Sequence, residues 1–322
     1  MSEPDNKPDR STEEPVWERK LIERLALDSV TEQRRKRRWG IFFKLVGFAY
    51  LGVLAFALID WSTLFSQAEH RKHTALVELT GVIAPGAEAS AESITTSLQS
   101  AFEDGNTQGV ILRINSPGGS PVQSGIINDE IHRLRGMYPD VPLYAVVEDI
   151  CASGGYYVAV AADRIYVDKA SIVGSIGVLM EGFGFTGLMD KVGVERRLLT
   201  AGENKGFLDP FSPQEERHRI HAQELLGDVH QQFIDVVRKG RGERLKESPD
   251  MFSGLMWSGS RSVELGLTDG FGSVEYVARE VVKAADIVDF TQRQNIAERF
   301  AKQFGADLAE SLASTISRVG LR

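Results

Sequence analysis

At 322 residues, 42% hydrophobic and 25% charged, the chain is ordinary globular material with room for one large domain or two smaller ones. Its net charge of -8 argues against nucleic-acid binding as its main business, because that needs a basic face to displace counterions from phosphate. The single cysteine, Cys151, excludes a disulfide framework within the chain and any Cys-based zinc site made by one chain.

The first 38 residues, beginning MSEPDNKPDRSTEEP, are polar and mixed in charge and read as a cytoplasmic tail. Ile41 to Ile59, IFFKLVGFAYLGVLAFALI, is then an apolar run whose only charge, Lys44, lies near one end. At about 1.5 Å per residue it matches the hydrocarbon core of a bilayer. Arg34 to Arg38 precede it and Asp60 follows, so the positive-inside rule puts the N-terminus in the cytoplasm and the rest outside, in the periplasm of a double-membraned cell. Small residues at Ser66 and Ala68 leave a cleavable signal peptide as the competing reading, but the apolar run is longer than a usual signal core. The expected organisation is tail 1–38, membrane anchor 39–61, linker 62–74, outer domain 75–290 and a C-terminal amphipathic segment 291–322.

From Ala75 onward short apolar runs alternate with helical ones. ALVELTGVIA and GVILRINS predict strands with the helix AESITTSLQSAFED between them. SGIINDEIHRLRGM predicts a second helix, PLYAVVED a strand, SGGYYVAVAA the start of a helix and RIYVD a strand. Strand and helix in turn imply crossover units and an α/β fold with a largely parallel sheet. The run from Ser212 to Gly242 has Ile220, Leu225, Leu226, Val229, Phe233 and Val236 on one helical face, and Ile296, Phe300, Phe304, Leu308, Leu312 and Ile316 mark another apolar stripe near the end.

Two glycine turns interrupt this pattern. INSPGGSP places Gly118 and Gly119 after a strand and before a helix, without the lysine or the spacing of a nucleotide-binding loop. ICASGGYY sets Ser153 before Gly154 and Gly155. A nucleophile needs such a turn, which lifts its Oγ off the sheet while nearby backbone N–H groups stay free for an oxyanion. A tight structural turn needs one too. If both turns end adjacent strands, the N–H of Gly118 or Gly119 lies opposite that of Gly154, and the pair forms an oxyanion hole.

INSPGGS, ICASGGYYVAVAAD, ASIVGSIGV and DGFGSVEYVA, in this order and spacing, resemble the short-form signal peptide peptidases (SppA), over Ala75 to about Val288. That family consists of membrane-anchored serine–lysine peptidases on the ClpP/crotonase fold, with repeated β-β-α type units. The resemblance implies Ser153 as nucleophile and Lys205, in TAGENKGFLDPFSP, as general base. It implies Ser175, in VGSIGV, as the hydroxyl that orients the lysine. It also implies a homo-oligomer in which serine and lysine come from adjacent protomers, and substrates that are signal peptides and other extended apolar peptides. No metal or cofactor is implied.

The residues themselves disfavour a Ser-His-Asp triad. No histidine lies between Ser153 and His218, and the histidines at 218, 221 and 230 read as a solvated helix face. An ordinary lysine, with a pKa of about 10.4, is neutral in under about 0.1% of molecules at pH 7, so Lys205 has to be dry in the working enzyme. Met180 to Met189, rich in apolar and glycine residues, is the expected pocket lining. The lysine segment lacks the aromatic or basic residue that the family often has before the lysine. Two other classes remain open: a catalytically silent membrane-associated oligomeric scaffold, and a crotonase-like acyl-CoA enzyme that shares the oxyanion hole but needs no serine–lysine pair.

Overall fold

The computed structural model describes residues 37–53, 56 and 71–293, in two units, Met1–Ser66 and Gln67–Arg322. In the first unit residues 37–53 are helical. Among the described residues no helix is long and apolar enough to cross a membrane. The rest of the expected anchor, most of the tail and linker, and residues 294–322 of the C-terminal segment lie outside the described residues.

The second unit is built on one mixed sheet. Its strands are β1 (His73–Thr80), β2 (Thr107–Ser116), β3 (Leu143–Ala152), β4 (Arg164–Val167), β5 (Ile172–Gly174), β6 (Met256–Ser258), β7 (Gly270–Phe271) and β8 (Ile287–Asp289). The main order is β6-β5-β3-β2-β1-β8, with β4 bridging β3 and β7. Every pairing is parallel except β5 with β6. Helices α1 (Ala91–Glu103), α2 (Pro121–Met137) and α3 (Gly154–Ala159) follow β1, β2 and β3 in turn. Further on come α4 (Thr186–Val192), α5 (Glu216–Arg241) and α6 (Gly259–Glu264). The α/β reading with parallel strands holds. The expected repeat of β-β-α units does not: from β1 to β4 strands and helices strictly alternate, and β4, β5 and α4 alone follow that order.

Side chains alternate across a strand, so each central strand feeds two cores. Ala75, Val77 and Leu79 of β1 pack with Leu112, Ile114, Ile94, Leu98, Ile127 and Ile131 in the larger cluster. Leu76, Ile111, Val146 and Tyr166 point the other way and meet Val274, Val277 and Ala278. This explains why the strands read as nearly unbroken apolar runs.

One irregularity positions the site. Tyr144 to Val146 of β3 pair with β4, whereas Ile150 to Ala152 pair with β5. The register with β2 also shifts between Ile114 and Ser116. The strand therefore changes neighbours half-way and delivers its last residues beside β5.

Candidate active site

Five described helices of the second unit start just after a serine, and four of those serines behave alike, Ser258 and Ser273 accepting from Arg261 N–H and Tyr276 N–H. The Ser90 side chain accepts a hydrogen bond from Ser93 N–H at the start of α1. Ser120 does the same from Gln123 N–H at the start of α2, with Pro121 in the first turn. This is ordinary capping of free helix N–H groups. Ser153 occupies the same position before α3 and makes no capping bond. Its backbone sits at φ 52 and ψ −124, a conformation costing a non-glycine residue on the order of 1–3 kcal/mol. Ser153 N–H is held by Gly174 O of β5 at 2.8 Å, so the turn is pinned while its hydroxyl is left unspent.

The two glycine turns do abut. A Cβ on Gly118 would lie 2.6 Å from Gly154 N, and one on Gly154 would lie 3.2 Å from Gly119 N while colliding with Ser124 Oγ. Gly118 and Gly119 have φ of 99° and 151°, and a Cβ on Gly119 would run into the Ile83 carbonyl. Only glycine allows this approach. Of the two candidate donors in this loop, Gly118 N–H is already bonded to Ser116 Oγ at 3.1 Å. Gly118 is also buried, whereas Gly119 is exposed. The N–H groups left to point at a ligand are those of Gly119 and Gly154.

Ser153, Gly154, Gly119 and Ser175 open on one groove of about 850 Å³, walled by Val122, Leu179, Val229 and Phe233. Tyr157 in this wall packs against Phe233 with ring centroids 5.1 Å apart and the rings tilted by 48°, and its carbonyl accepts from Asn128 Nδ2 at 2.8 Å, which ties α2, α3 and α5 together. Burial, and then Asp129, raises the Tyr157 phenol above its usual range. Ser175 also has a left-handed backbone, φ 52, with its N–H on Leu255 O at 2.7 Å. Asp129 is the one charged residue among the described groove walls, which include no lysine or histidine.

Lys205 is elsewhere. It is exposed in a turn whose Lys205 N–H bonds Gly202 O, and its side chain has no partner among the described residues. The turn docks on the first half of α5, where Phe207 meets the rings of His218 and His221 edge-on at 5.4 and 5.6 Å. Val229, at the Ser153 groove, is 11 residues beyond His218, or about 16 Å along the helix. Lys205 is not among the residues that line that groove.

Two other expectations change. Met180 to Gly184 and Thr186 line a cavity, of about 580 Å³, but it is the one beside Gly206 and His218, not the Ser153 groove. His218 is buried rather than solvated, and His230 Nε2 lies 3.2 Å from Ile176 O. Cys151 is fully buried and its thiol is pushed well up by burial, so it offers no thiolate. Missed altogether was Ser116, whose polar contact selects between the two glycines; nothing in the sequence distinguishes it from an ordinary strand-end serine.

Residues 139–288 match peptidase family S49. A relative from Enterococcus faecium, named as a signal peptide peptidase of the SppA type, is 31% identical over 242 residues, covering 72% of this chain and 69% of that one. The chain belongs to peptidase family S49. Protease 4 of Haemophilus influenzae is 31% identical over 247 residues, 75% of this chain and 39% of its own. A Brucella abortus protein named as the Na(+)/H(+) antiporter NhaA is 43% identical over 212 residues. There the chain spans 64% of itself but only 28% of that much longer relative.

Proposed function

We propose that this S49 chain is a membrane-anchored serine endopeptidase that cleaves extended apolar peptides, released signal peptides among them. The observation that carries the reading is Ser153, a helix-start serine in a strained left-handed turn whose hydroxyl is not used for capping. The Ser153 Oγ attacks the scissile carbonyl and its proton passes to the neutral Nζ of Lys205. The developing oxyanion takes hydrogen bonds from Gly119 N–H and Gly154 N–H. The protonated lysine then gives its proton to the leaving amine, and the lysine, neutral again, takes a proton from the water that hydrolyses the acyl-enzyme.

Because Lys205 does not line the groove of its own chain, the base comes from an adjacent copy in a homo-oligomer, where the contact also shields the amine from water. Ser175, open to the groove, orients the arriving amine. The apolar walls suit an extended substrate with hydrophobic side chains. Residues 41–59 anchor the chain in the inner membrane with the N-terminus in the cytoplasm and the catalytic unit outside.

Hydrolysis of an apolar, signal-peptide-like fluorogenic peptide by the full chain tests this reading. Ser153→Ala and Lys205→Ala should each lower kcat/KM by at least about 1,000-fold. Undiminished hydrolysis by either variant would reject the dyad, and no hydrolysis by the parent would favour the scaffold.

A further inference from the structure

The turn that carries Lys205 lies on an insertion with almost no core of its own: α4 buries none of its residues, and in the first half of α5 only His218 and Ala222 are buried. A buried imidazole in such surroundings needs a polar partner, and it has one. His218 Nε2 lies 3.3 Å from Asn204 Oδ1, an acceptor, so the ring donates from Nε2 to the residue immediately before Lys205. Two residues after the lysine, Phe207 packs edge-on against the same ring. Phe207 N–H also bonds Asn204 O at 3.0 Å, which closes the turn around the lysine. The exposed lysine is thus flanked on both sides by contacts to a single buried side chain, while its own amine is left free.

We propose that His218 is a positioning residue for Lys205, acting through Asn204 and Phe207 to hold the lysine turn rigid so that its amine can enter a Ser153 groove. The inference rests on the reading of Lys205 as general base. His218 itself touches neither Ser153 nor the groove that contains it. Its contribution is to keep the base in one geometry, where a misplacement of about 1 Å can cost on the order of 100-fold in rate.

The test is the pH dependence of kcat/KM for apolar peptide hydrolysis by the full chain, in His218→Ala, Asn204→Ala, the double variant and His218→Gln. The rising limb reports the base. A loosened turn lets the lysine spend more time in water, so His218→Ala and Asn204→Ala should each move that limb upward by about one pH unit. Each should also lower kcat about tenfold with KM little changed. The double variant should be no worse than His218→Ala, because that variant has already lost the Asn204 contact. His218→Gln, which keeps a donor near the Nε2 position, should recover most of the loss. Asn204 is exposed, so its variant folds even if His218→Ala does not. An unmoved limb in Asn204→Ala, no recovery in His218→Gln, or losses that simply add, would overturn the proposal. Retained activity in Lys205→Ala would instead overturn the base assignment beneath it.

Discussion

Ser90, Ser120 and Ser153 share a residue type and a place before a helix, yet two spend their hydroxyls on capping and one does not. The difference is backbone: the capping serines are extended, at φ −75 and −61, whereas Ser153 is at φ 52. A strained residue is kept against its own preference only where the surroundings over-determine it. Ser153→Gly should therefore melt higher than Ser153→Ala, both being inactive, by an amount corresponding to about 1 kcal/mol. Thermal unfolding of the two variants checks this. Gly119→Ala should lower stability by about 1–3 kcal/mol or more, because the new Cβ meets the Ile83 carbonyl at a positive φ. The turns at Gly118–Gly119 and Ser153–Gly155 were legible as glycine clusters at strand ends. Which glycine N–H is free was not, because that depends on Ser116 Oγ reaching Gly118 from within its own loop.

At the scale of elements, the longest helix is tied to the sheet by one buried ion pair. Arg241, at the end of α5 and 1% exposed, forms a two-pronged contact with Asp269, at 2.8 and 2.9 Å. Asp269 also accepts from Ile165 N–H of β4 at 2.7 Å. Burial alone would raise the Asp269 carboxyl, but the hydrogen bonds and charge of Arg241, the Ile165 N–H and Arg244 outweigh it and hold it below the usual range. A folded pKa below the unfolded value of about 3.9 means that the stabilisation is fully present above about pH 4 and is lost as the pH falls through the lower folded value. Asp269→Asn should flatten that part of the acid unfolding curve. Arg241→Ala should cost about 3–5 kcal/mol at pH 7, since it leaves a buried carboxylate without its partner, and chemical denaturation measures it.

The strands and helices up to β4 were legible because their apolar periods are long and regular. The three-residue strands β5 and β6 were not, because each is defined by pairing and not by its own pattern. His218 was misjudged for a related reason. Its burial comes from a turn that folds back onto α5, so the charged residues around it in sequence say nothing of it.

Across the whole molecule, the stretch between β5 and α5 exposes an unusual share of large apolar side chains, including Leu199 at 96% and Phe183 at 81%. A second copy covering this stretch would account both for that surface and for the separation of Lys205 from Ser153. Leu199→Glu should leave the stability of a single chain within about 0.5 kcal/mol of the parent, since the residue packs on nothing. It should nevertheless shift the sedimentation profile toward smaller species and lower peptidase activity in proportion. The measurement that tests the central claim most directly is hydrolysis by a mixture of Ser153→Ala and Lys205→Ala chains, dissociated and reassembled together. Each alone should be inactive. If every site takes its serine from one copy and its lysine from the next, random assembly of equal amounts should restore about a quarter of the parent rate. A mixture as inactive as its components would contradict a site shared between copies.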